Sequence, residues 1–73
     1  MFSKKGDRKM EVFITKIIDD YEEDLIGTYD TLEKAKEGGY RSLYIYDDPI
    51  ILIYKAILNK EEIELVYKED FEE

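Results

Sequence analysis

Carboxylates are the most numerous side chains in this chain that could do chemistry, and most of them arrive in clusters. Asp19, Asp20, Glu22, Glu23 and Asp24 surround Tyr21; Asp47 and Asp48 follow, then Glu61, Glu62 and Glu64, and then Glu69, Asp70, Glu72 and Glu73. Hard oxygen ligands so close in sequence invite a metal. The 19–24 run, however, lacks the alternating acids, central Gly and terminal Glu of a calcium loop, so we expect a solvated acidic turn and no metal site. Neither His nor Cys is present. The usual general base near neutral pH and the strongest nucleophile are therefore both missing, and Ser3 and Ser42 have no imidazole to activate them. A carboxylate pair works as acid and base only when burial raises one pKa, whereas acids gathered in turns stay wet. The pattern argues against an enzyme and calls for no cofactor.

Clustered carboxylates can still select a partner. Lys and Arg number 11 against 19 Asp and Glu, a formal charge of −8, and charge concentrated on turns gives a small body a directed negative field. Seven tyrosines and three phenylalanines accompany it. Tyrosine is enriched among residues that dominate binding energy, because its ring gives contact area and its hydroxyl stays satisfied. The candidate surface thus combines Asp19, Asp20, Glu22, Glu23, Asp24, Asp47 and Asp48, which steer encounter, with Tyr21, Tyr44 and Tyr46, which supply contact. Its partner would be a basic protein, such as a nucleic-acid-binding protein or a nuclease. Carboxylates in extended rows would imitate the charge of a duplex. The same charge opposes direct binding to nucleic acid or to an anionic membrane. A second reading is a structural subunit or homo-oligomer that self-associates through the 50–57 strand and the tyrosine face.

Such residues need a scaffold, and 73 residues make one domain with a marginal core. The chain is 44% hydrophobic, near the globular average, so its acidity does not imply disorder. Without cysteine, no disulfide supports the fold. No apolar stretch reaches the ~18 residues of a membrane span, and Met1-Phe2-Ser3-Lys4-Lys5 leads into charge instead of a signal-peptide core. A soluble cytoplasmic protein is expected. Lys4, Lys5, Arg8 and Lys9 make residues 1–9 a flexible basic arm, residues 10–68 a single α+β domain, and residues 69–73 an acidic tail.

Within that domain, Glu-Val-Phe-Ile-Thr-Lys-Ile-Ile at 11–18 is rich in β-branched and aromatic residues, with Val12, Ile14 and Ile18 on one face of a strand. After the acidic loop 19–24, Leu25–Tyr29 returns antiparallel, and Gly27 marks a bulge or a close approach. Asp30-Thr31-Leu32-Glu33 has capping-box spacing, and Gly38-Gly39 supplies a stop, so a helix of about two turns lies between, with Leu32 and Ala35 facing the sheet. Residues 40–46 alternate Leu43 and Ile45 against Tyr44 and Tyr46, which predicts a strand. Asp47-Asp48-Pro49 turns the chain into Ile50–Ile57, the most apolar run and hence a central strand covered on both faces, or on one face and by a partner. A tight hairpin at Asn59-Lys60 leads to a charged edge strand over 61–68. The sum is β-β-α-β-β-β, a small antiparallel sheet with one short helix on a face.

Residues 21–37, Tyr-Glu-Glu-Asp-Leu-Ile-Gly-Thr-Tyr-Asp-Thr-Leu-Glu-Lys-Ala-Lys-Glu, resemble small phage or viral accessory proteins. In these an acidic loop leads into Ile-Gly-x-aromatic and then Ser/Thr-x-Glu-x-x-Ala at a helix start. Ile26, Gly27, Tyr29, Thr31, Glu33 and Lys36 occupy the matching positions, with Ala35 one place early. The resemblance implies a hairpin followed by a capped helix, a viral origin, and disarming of a host protein by direct contact. It carries over no functional residue.

Overall fold

One face of a four-stranded sheet is covered by one helix, and the opposite face has nothing over it among the described residues. The computed structural model describes residues 10–71, so the basic arm expected at 1–9 and the last two acids of the tail lie outside the described residues. Along the chain come β1 (Glu11–Ile18), β2 (Glu23–Tyr29), α1 (Leu32–Ser42), a 3-10 turn (Leu43–Ile45), β3 (Ile50–Ile57) and β4 (Ile63–Asp70). The strand order is β2-β1-β3-β4 with every neighbour antiparallel. This is a small α+β fold, with the apolar β3 in the interior of the sheet and the charged β4 at its edge. No helix among the described residues is long and apolar enough to cross a membrane.

Side chains alternate along a strand, so pairing register decides which residues α1 covers. Thr15 stands opposite Ile53, and Ile17 opposite Ile51. These four are fully buried together with Ala35 of the helix, and Tyr46 nearly so. Val12, Ile14 and Ile18, the apolar set on one face of β1, point the other way, toward the face opposite the helix. β1 is apolar on both sides, and the helix settles over the side that carries Thr15, whose hydroxyl donates to the Ala35 carbonyl at 2.8 Å. The buried polar group is thereby satisfied where helix and sheet meet.

Both edge strands carry a bulge. In β2 the register slips opposite Thr15 and Lys16, leaving Ile26 as the extra residue beside Gly27; in β4 it slips opposite Ile53 and Tyr54, leaving Val66 as the extra residue. Each extra side chain packs against the core, and each bulge spoils its edge as a template for a further strand.

The helix starts as read but one residue later at its cap, where the Thr31 hydroxyl accepts from the Lys34 amide at 3.1 Å and Asp30 pairs with Lys34 at 3.1 Å. Its end differs. α1 runs through Gly38 and Gly39, which sit in ordinary helical backbone and serve as contact points. A Cβ on Gly38 would lie 2.1 Å from the Tyr29 hydroxyl, and one on Gly39 would lie 3.0 Å from Ile51 Cδ1 and 3.3 Å from Thr15 Cγ2. Packing against the sheet thus overrides the propensity of a Gly pair to stop a helix.

That extension removes the strand expected at 40–46. Tyr40, Arg41 and Ser42 complete the helix, residues 43–45 form the 3-10 turn, and Tyr46 takes extended backbone beyond it. Leu43 packs against the core and Tyr44 is exposed as expected, but inside and outside are exchanged for the next two residues, with Ile45 at 61% exposure and Tyr46 at 9%. The acidic tail is also corrected. Glu69 and Asp70 pair with Ile51 and Ile50 as the last residues of β4, and the Phe71 amide donates to the Pro49 carbonyl at 2.9 Å. The folded unit therefore reaches past residue 68. Glu23 and Asp24, read as loop, open β2.

Gly39→Ala tests the close approach. Overpacking against the fully buried Ile51 costs ~1–3 kcal/mol, and the better helix propensity of Ala returns at most ~1. We expect a net loss of about 0–2 kcal/mol in urea unfolding on those figures; higher stability would contradict the packing described.

Candidate functional site

Antiparallel pairing brings the end of β1, the starts of β2 and β3, and the end of β4 to the same edge of the molecule. All seven predicted acidic positions gather there, from the β1–β2 turn, the first residues of β2 and the loop before β3. Glu69 and Asp70 join them from β4.

These carboxylates divide by what they touch. Asp19 builds the turn: its Oδ1 accepts from the amides of Tyr21 at 2.9 Å and Glu22 at 2.8 Å, and its Oδ2 accepts a longer bond from Asp47 at 3.4 Å. The backbone amides, Tyr21 first, hold its carboxyl below the usual carboxylate range because they stabilise the ionised form. The same contacts tie the β1–β2 turn to the 47–48 loop. Asp24 accepts from the Tyr46 hydroxyl at 2.7 Å, and Glu23 pairs with Lys16. Asp20, Glu22, Asp47 and Asp48 are exposed, and no lysine or arginine among the described residues pairs with them. Asp48 sits at a φ of 49°, in the left-handed region, just before Pro49 restricts the chain. Among the described residues no three carboxylates stand where they could hold a metal ion.

The aromatic positions divide too. Tyr21, at the tip of the β1–β2 turn, is 80% exposed, and Tyr44, on the 3-10 turn, is 86% exposed. Ile45, beside Tyr44, is exposed as well. Tyr46 is not available to a partner. Its ring belongs to the buried core, because the 3-10 turn aims it under the sheet edge where Asp24 receives its hydroxyl. That bond, with burial second, pushes the phenol up to about 12.

Sequence reading missed a second cluster, which lashes α1 to β4. The hydroxyls of Tyr40 and Tyr67 lie 2.8 Å apart, and both reach Glu69 Oε1, Tyr40 at 2.9 Å. Each phenol has one proton, so a chain in which Tyr40 donates to Tyr67 and Tyr67 to Glu69 satisfies the group. Tyr67 is pushed up, chiefly by its bond to Glu69, and Glu69 is held down, chiefly by Tyr67. The Lys36 ammonium stands 4.4 Å above the Tyr67 ring, and Phe71 meets Tyr40 edge-on at 6.2 Å. The spacing of Lys36 and Tyr40, one helical turn apart, was the available signal. The Gly38-Gly39 pair, which reads locally as a helix stop, hides it.

No known protein family, characterised protein or solved structure matches this chain.

The Tyr46–Asp24 bond has a pH signature. The folded phenol ionises at about 12 and the unfolded one near 10, so its contribution is whole below about pH 10 and is lost between about pH 10 and 12. Tyr46→Phe removes the titrating group. The stability advantage of wild type over Tyr46→Phe is expected to shrink across that window in urea titrations; a gap that stays constant would contradict the bond.

Proposed function

We propose that the chain is a non-enzymatic protein-binding module that inhibits or modulates a basic host protein through its acidic edge. The observation that carries this is the grouping of Asp20, Glu22, Asp47 and Asp48, carboxylates with no cationic partner among the described residues, on two loops joined through Asp19, with the exposed Tyr21 in the first loop and the exposed Tyr44 on the 3-10 turn that leads to the second. Exposed acid beside exposed phenol rings is what a basic, partly apolar surface needs. The charge speeds and orients encounter, and the rings are desolvated in contact. The acids sit at one end of the sheet, which suits a compact basic patch better than imitation of a long duplex. The resemblance of residues 21–37 to small phage and viral accessory proteins is the ground for taking the target to be a host protein met in the host cytoplasm.

The division of labour among the carboxylates dictates the test. Asp19, Glu23 and Asp24 hold the fold, so charge is removed elsewhere, as Asp20→Asn, Glu22→Gln, Asp47→Asn and Asp48→Asn together. Asn tolerates the left-handed backbone at 48, and fewer like charges leave stability at or above that of wild type. Immobilised full-length protein is expected to capture a basic protein from a host lysate at low salt and release it at high salt. The neutralised variant should associate about tenfold or more slowly. Tyr21→Ala with Tyr44→Ala should weaken retention at unchanged charge. Equal capture and equal association rates for the neutralised variant would remove the acidic edge from the mechanism.

A further inference from the structure

The face of the sheet opposite α1 is apolar and has nothing over it among the described residues. Register places Ile14, Leu52 and Tyr54 of the inner strands there, with Leu25 of β2 and Ile63 and Leu65 of β4 on the flanks. Leu25, Ile63 and Leu65 are 66%, 62% and 47% exposed. A shallow groove of about 220 Å³ runs between Ile14, Lys16, Tyr54 and Ile63. A contiguous apolar face of this kind on a small protein marks an interface.

We propose that this face packs against the same face of a second copy, forming a twofold sheet-on-sheet dimer. Charge selects the occupant. The face carries Lys16 and Lys68 against Glu23 and Asp70, a balance of sign in a chain whose net charge is −8. Two copies this acidic repel one another most at their acidic edges and least here. Area agrees. Four strands spaced ~4.8 Å apart, each about eight residues long at ~3.3 Å per residue, present roughly 500 Å² per copy. The pair then buries roughly 1,000 Å², the lower bound for a specific interface. The bulges at Ile26 and Val66 disfavour joining edge to edge, which leaves face-to-face packing as the route to association.

The same repulsion sets the orientation. A twofold axis lying between the sheets and parallel to the strands would place the acidic edges side by side; an axis perpendicular to the strands sends them to opposite ends. The second arrangement follows, with the groove of each copy receiving an aliphatic side chain of the other. Tyr21, Tyr44, Asp20, Glu22, Asp47 and Asp48 stay outside the contact, so this interface is independent of the acidic-edge reading.

Sedimentation of the full chain from low to high micromolar concentration tests the inference. Dimers are expected at the upper end, tightening with added salt because screening reduces repulsion between the copies. Ile63→Lys with Leu65→Lys should give a monomer at every concentration. Both positions are exposed in the single copy, so the far-ultraviolet circular dichroism spectrum should not change. A wild-type monomer throughout would overturn the proposal and leave the face to the N-terminal arm or to an unrelated protein. So would a dimer that survives the double substitution.

Discussion

One helix can cover one face of a sheet, and the rest of this molecule follows from that limit. The core is small: Thr15, Ile17, Ala35, Ile51 and Ile53 are fully buried, with Tyr46 close behind. Burying even this much requires α1 to come close, which Ala35 and Gly39 permit by carrying little or no side chain at the crossing over Thr15 and Ile51. A domain of this size has little apolar burial to spare. Its rim is accordingly held by phenol rings, half in the core and half in water.

Those rings explain why the carboxylates do two different jobs. Tyr46 binds Asp24 on one edge strand, and Tyr40 with Tyr67 binds Glu69 on the other. The covering segment is therefore fastened to both outer strands, β2 and β4, by phenol-to-carboxylate hydrogen bonds. Asp19 organises the turn between β1 and β2 and ties it to the loop before β3. What remains at the acidic edge, Asp20, Glu22, Asp47 and Asp48, has no such duty among the described residues. Counting acids in the sequence could not make this separation, because it depends on which amides and hydroxyls the fold brings near each one.

Periodicity and composition made much of the fold legible. β1 and β3 stand where β-branched density placed them, β4 where charge alternated with apolar residues, and the irregularity at Gly27 proved to be a bulge. The errors share one cause. Gly38-Gly39 reads locally as a helix stop, and the alternation in 40–46 reads locally as a strand, yet both segments answer to contacts distant in sequence. Gly39 is there for Ile51 and Thr15, and Tyr46 for Asp24. Of the candidate site, the acidic cluster and the exposure of Tyr21 and Tyr44 were legible, while the burial of Tyr46 and the Tyr40–Tyr67–Glu69 group were not. Choosing which face of β1 the helix covers was equally out of reach, since Val12, Ile14 and Ile18 look as fit for a core as Phe13 and Ile17.

Solvent exposure of methyl groups, read by paramagnetic relaxation from a soluble probe in nuclear magnetic resonance, reports on that one-sided burial directly. The account predicts that the methyls of Ile17, Ile51 and Ile53 stay shielded at every protein concentration, while those of Ile14, Leu52 and Leu65 become accessible on dilution. Equal shielding of both sets in dilute solution would show that the second face is covered within the single chain, and the account would fail.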